Sequence, residues 1–209
     1  MSKSIYLVHS DKYKEWIFDE THPTQGRRFS NARDLLLKEA SKDGVEVIEI
    51  PPRPATREEL LRVHTSSYID EVLKEGLSSQ WDGQRMDLAE LSSLFVGGTL
   101  VALDALLTGK TKLAIHFPGA KHHSQADYSS GFCIFNDFAI AADIATKNHG
   151  LNVAILDIDG HHGAGHHRRH GHGHDAHHPH SHPGAHAHRQ GRRHRPGLLR
   201  CAVHHEQRH

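Results

Sequence analysis

Residues 154–165 read AILDIDGHHGAG: a short apolar run that ends on two carboxylates, two imidazoles and three glycines. With the two residues before it, NVAILDID (152–159) reads as a strand. The nearly all-apolar VAIL run suits a strand buried on both faces of a parallel sheet. Asp157 and Asp159 are two apart, so on a strand their side chains share a side, and His161 follows at the same interval. Carboxylates at the end of a buried strand are costly without partners. A carboxylate and an imidazole converging there have the donor types and reach to hold Zn²⁺.

Upstream, SIYLVH (4–9), VEVIEI (45–50) and KLAIHF (112–117) read as three further strands, the second in alternating pattern. Helices are expected over Ser30–Lys42, from Thr56, over Ser66–Lys74, over Leu91–Leu107 and over Phe135–Lys147. Thr56 followed by Glu59 is a capping box. The PPRP run (51–54) forbids regular structure, and SSQWDGQRMD (78–87) reads as a loop. Strands separated by helices predict an α/β fold with a mainly parallel sheet. In such sheets, sites form beyond the carboxyl ends of the strands.

A second constellation sits in the polar loop after KLAIHF. His122 and His123 are adjacent, six residues beyond that strand. Imidazole titrates near neutral pH, which suits the pair to proton transfer beside a metal. A carboxylate on the second ring nitrogen fixes the tautomer, and Asp157 is available for that role. Gly131 and Phe132, a Gly-aromatic pair, are placed to wall a narrow pocket. Cys133 reads as a small buried residue.

PGAKHHSQADYSSGFCIFNDFAIAA (118–142) followed by VAILDIDGHHGAG (153–165) resembles the zinc-dependent histone deacetylase family. That superfamily shares the arginase/deacetylase fold and includes acetoin-utilisation deacetylases and acetylpolyamine amidohydrolases. HPTQGRR (22–28), ELLRVHTSSYIDEV (59–72) and GGTLVALDALLTGK (97–110) resemble it too, in the expected order. The resemblance covers about residues 4–165 and implies a three-layer α/β/α domain. By motif, it implies Asp159 and His161 as zinc ligands and His123 as general base and acid, with His122 as its tuning neighbour. Asp157 would bond His122. Gly131 and Phe132 would line an acyl-lysine channel. A potassium ion on backbone carbonyls around Asp157, Asp159 and His161 is implied as well. The implied reaction is removal of an acetyl or other acyl group from a lysine side chain or small amine. The family's third zinc ligand, a later Asp, and its oxyanion donor have no match here. Ala164 stands where the family commonly carries the Asp or Asn that orients the second His. The expectation is therefore a truncated domain, weakly active or inactive.

Composition divides the chain at Gly165. Residues 1–165 hold 17 Lys+Arg against 23 Asp+Glu, whereas 166–209 hold eight Arg, no Lys and two acids. Fifteen of the 24 histidines lie in that second segment. It has too little apolar content to order itself, so disorder is expected. It is also what an out-of-frame translation would give, so a frameshift near Gly165 is expected. The domain is thus read as 1–165 with a His/Arg-rich tail, 166–209. The tail's histidines support a different reading, a non-catalytic metal-binding protein. Its arginines, without aromatics, give only nonspecific attraction to nucleic acid. Cys133 and Cys201 sit in unlike regions, so a disulfide framework is not expected and a reducing compartment fits. No signal peptide and no uninterrupted apolar span is visible, and the expected location is the cytoplasm, away from membranes. Nothing fixes the oligomeric state.

Overall fold

The computed structural model describes residues 4–161 and 163. His162, Ala164 and the tail lie outside the described residues, and with them the expectations of disorder, frameshift and tail metal sites. Three parallel strands form a sheet in the order β2-β1-β3: β1 (Ser4–Val8), β2 (Glu46–Ile50) and β3 (Ala114–Ile115). Ser4 pairs with Glu46 and Val8 with Ile50 on one side. Tyr6 pairs with Ala114 and Leu7 with Ile115 on the other. The chain winds from β1 to β2 in one direction and returns past β1 to reach β3. That reversal places a crevice beyond the carboxyl ends of β1 and β3. Leu7 and Val8 point to opposite faces and are both fully buried, so protein covers the sheet on both sides there. The α/β class and parallel sheet match the sequence expectation.

Helix α1 (Arg27–Lys42) starts three residues before the expected Ser30, because Gly26 at its N-cap offers no side-chain acceptor to mark the start. Gly26 is there for close approach: a Cβ would stand 1.9 Å from the Tyr13 carbonyl oxygen. Arg33 on α1 grips Glu49 on β2 with two bonds of 2.7 Å. Glu46 and Glu49, three residues apart, are the exposed positions of β2, so the expected strict alternation is not observed. β2 is an edge strand with partial cover on each face, and an edge does not enforce a two-residue period.

The Thr56–Glu59 capping box is present at the start of α2 (Arg57–Leu61). Thr65 caps α3 (Ser66–Leu73). Helix α4 (Met86–Leu107) starts five residues before the expected Leu91 and supplies much of the core, including Leu88, Phe95 and Val96. It is long and apolar enough to cross a membrane by length and composition, yet it lies mostly buried within this fold. The Pro-rich segment runs against it. Ala55 donates its N–H to the Ser93 carbonyl at 3.0 Å. A Cβ on Gly97 would stand 1.7 Å from the Arg53 carbonyl oxygen. Asn136 caps α5 (Asp137–Lys147), accepting from the Ala139 N–H at 3.0 Å.

Two strand expectations are corrected. The strand expected over 112–117 shrinks to Ala114–Ile115. Residues 152–159 form no strand and pair with no strand among the described residues. Ile155, Leu156 and Ile158 are exposed rather than buried on both faces, Leu156 to 65%. An apolar run becomes a central strand only where neighbours complete its ladder and helices cover it. β3 offers too short an edge to recruit this one.

Candidate metal and proton-transfer site

The site forms where the loop after β3 meets the 157–161 turn. A buried polar network shapes that loop. Asp137, fully buried, accepts from the Thr99 hydroxyl (2.6 Å), the Ala120 N–H (3.0 Å) and the Lys121 N–H (2.7 Å). Ala120 takes a left-handed backbone, φ 68°, which brings both N–H groups onto one carboxylate. Thr99 is also bonded to His116 Nδ1, and the Tyr13 hydroxyl to His116 Nε2, each at 3.0 Å. Burial pushes His116 down to about 3, so its ring is neutral. This chain of bonds fixes the backbone immediately before His122 and His123.

His122 is buried, and its Nδ1 lies 2.6 Å from Asp157 Oδ2. The rings of His122 and His123 have centroids 4.0 Å apart, and His161 lies 6.0 Å from His123. Burial, then the neighbouring His122, holds His123 below the ordinary imidazole range, against the pull of Asp159. A neutral imidazole at pH 7 accepts a proton. Gly131 sits against this ring at φ 53°, and a Cβ there would stand 2.4 Å from His123 Cδ2. Phe132, also left-handed at φ 61°, packs on Phe18 and His22 with its N–H bonded to Gln80 Oε1 at 2.8 Å.

The turn is held by its own carboxylates. The Asp159 N–H donates to Asp157 Oδ1 at 3.1 Å, and the His161 N–H to Asp159 Oδ1 at 2.8 Å. His161 Nδ1 lies 2.9 Å from the same Asp159 oxygen. Two donors on one tetrahedral zinc, each about 2.0 Å from the ion, are about 3.3 Å apart. The Asp159–His161 pair is therefore close to the spacing that zinc needs. No group of three metal-binding side chains occurs among the described residues. The fit is that of two ligands out of the usual three or four.

The structure thus brings His122, His123, Gly131, Phe132, Asp159 and His161 onto one cavity of about 260 Å³, with Asp157 behind His122. Sequence reasoning missed Asp137, Thr99, His116 and Tyr13, which touch the loop rather than the cavity. It also missed Gln80, in a stretch read as plain loop. An Asn-Asp pair at a helix start was the only signal for Asp137.

A histone deacetylase domain model matches residues 22–188. The chain belongs to the histone deacetylase family. It is 34% identical over 178 residues to the acetoin utilization protein AcuC of Staphylococcus aureus (strain MRSA252), covering 79% of this chain and 45% of that protein. AcuC of Bacillus subtilis (strain 168) is 33% identical over the same shares. AcuC of Staphylococcus xylosus is 28% identical over 79% of this chain and 46% of its own length. The chain thus spans a little under half the length of these curated relatives.

Proposed function

We propose that this chain carries the proton-transfer half, and two of the zinc ligands, of an amide deacetylase. Its substrate is an acetylated lysine side chain or a small acetylated amine. The single observation that carries this is the convergence of the Asp157-bonded His122–His123 pair with the Asp159–His161 donor pair on one cavity. Asp159 and His161 would hold zinc, which supplies polarisation of the amide carbonyl. His123 takes a proton from the attacking water and returns it to the leaving nitrogen. The C–N bond breaks, a C–O bond forms, and a carboxylate and an amine leave. Asp157 holds the His122 ring in place, and His122 tunes its neighbour. Gly131 and Phe132 flank the acyl-lysine entry. A structural potassium ion on the backbone around Asp157, Asp159 and His161, and a cytoplasmic location, belong to the same reading.

With no group of three metal-binding side chains among the described residues, slow turnover is expected. An acetyl-lysine peptide with added zinc tests this. Slow, zinc-dependent acetate release lost in His123→Ala is the expected result. Release that ignores both zinc and the substitution contradicts it. The fifteen histidines of 166–209 favour a second reading, a non-catalytic metal binder. Several weakly held metals, lost when the tail is removed, would support it.

A further inference from the structure

The cavity wall beside His123 is a four-residue turn. Ser130 and Cys133 exchange two backbone bonds, of 3.1 and 2.9 Å. Between them Gly131 and Phe132 are both left-handed, at φ 53° and 61°. Two consecutive positive φ values mark the mirror-image hairpin turn that ordinarily takes Asn-Gly or Gly-Gly. Glycine adopts that backbone freely, but a bulky aromatic there is strained. Burial does not hold Phe132 in this state, because the residue is 36% exposed. Its ring leans edge-on against Phe18 and His22, with centroids 5.6 and 4.4 Å away. The loop of residues 78–80 supplies the restraint. Gln80 Oε1 accepts the Phe132 N–H at 2.8 Å. Gln80 Nε2 donates to the Ser129 carbonyl at 3.3 Å and to Ser79 Oγ at 3.1 Å. These two demands fix the direction of the amide, oxygen toward Phe132 and nitrogen toward Ser129. The Gln80 N–H donates to Ser78 Oγ at 3.1 Å, and that oxygen lies 2.7 Å from Ser129 Oγ. One side-chain amide thus ties the residue before the turn to the strained residue within it.

We propose that Gln80 is a positioning residue: its side-chain amide holds Phe132 left-handed, which keeps Gly131 against the His123 ring and the Phe132 ring at the cavity mouth. Released from Gln80, Phe132 relaxes to negative φ and the Gly131–Phe132 peptide turns. Gly131 then leaves His123, and the Phe132 ring leaves Phe18 and His22. His123 itself stays in place, because Asp137 fixes the backbone before it through the Ala120 and Lys121 N–H groups. The loss therefore falls on the wall that receives the acyl chain rather than on proton transfer. The effect on substrate rests on the hydrolase reading, whereas the effect on the turn does not.

The test is NMR of the metal-free, full-length chain, read at the Gly131 α-proton to His123 ring-proton contact and at the Phe132 amide exchange rate. The parent chain is expected to show the contact. Gln80→Leu is expected to lose it and to exchange the Phe132 amide about fivefold faster or more, the worth of one net hydrogen bond. Gln80→Glu keeps an acceptor oxygen for that N–H and is expected to retain both signals. Thermal melts establish that each variant folds. A contact and exchange rate unchanged in folded Gln80→Leu overturn the assignment. Gln80→Glu as impaired as Gln80→Leu also overturns it, since the acceptor is then not what matters. An acetyl-lysine peptide with added zinc supplies the second arm. Gln80→Leu is expected to raise KM about threefold or more with kcat within about twofold, and Gln80→Glu to restore KM. A fall in kcat at unchanged KM contradicts a role at the wall. The expected NMR changes with no hydrolysis by the parent chain support Gln80 as the restraint and overturn the hydrolase reading instead.

Discussion

Gly131 shows how one residue type is fixed by one neighbour. Its left-handed backbone and the His123 ring 2.4 Å from any added Cβ leave room for hydrogen alone. Gly131→Ala is expected to displace His123, cost about 1–3 kcal/mol and abolish proton transfer. A thermal melt with the acetyl-lysine assay checks both. His116 makes a pH claim with a definite sign. Its pKa in the fold lies near 3, below the ordinary 6.5. The stability it contributes is complete above about pH 6.5 and is lost as pH falls toward 3. The largest slope is about 1.4 kcal/mol per pH unit. A ring carbon signal that stays neutral down to about pH 4 is the expected observation, and a midpoint near 6.5 contradicts it. The Asp157–His122 pairing was legible through the resemblance of the two motifs to the family, although Asp157 follows no strand among the described residues. Asp137 was hidden because a carboxylate at a helix start reads as an ordinary first-turn acid.

At the scale of elements, the loop after β3 is held by α4 and α5 rather than by its own sequence. Thr99 on α4 and Asp137 at the start of α5 close on the Ala120 and Lys121 amides. Asp137→Ala strands three donors in the interior and is expected to cost at least about 3 kcal/mol. Asp137→Asn keeps one acceptor and should cost less while still misplacing His123. Denaturant unfolding of the two variants measures the difference. Helix existence was readable from periodicity and caps. Starts failed where the cap was Gly26 or Arg85, since neither carries the usual side-chain acceptor. The strand expected over 152–159 failed for a different reason. Its apolar content is real, but a strand needs neighbours, and sequence pattern alone does not supply the ladder.

For the molecule as a whole, two regimes meet near Gly165. The described residues build a parallel sheet whose switch point opens onto the His122–His123 loop and the Asp159–His161 turn. Ile155, Leu156 and Ile158 lie beside that site as exposed apolar side chains. The central claim is that the 157–161 turn holds a metal against the histidine pair. Zinc equilibrium dialysis of the full-length chain against a competing chelator, with Asp159→Ala and His161→Ala beside it, tests this most directly. One tightly held zinc in the parent chain, lost in both variants while weaker tail binding persists, is the expected result. Identical zinc retention in all three proteins would contradict it.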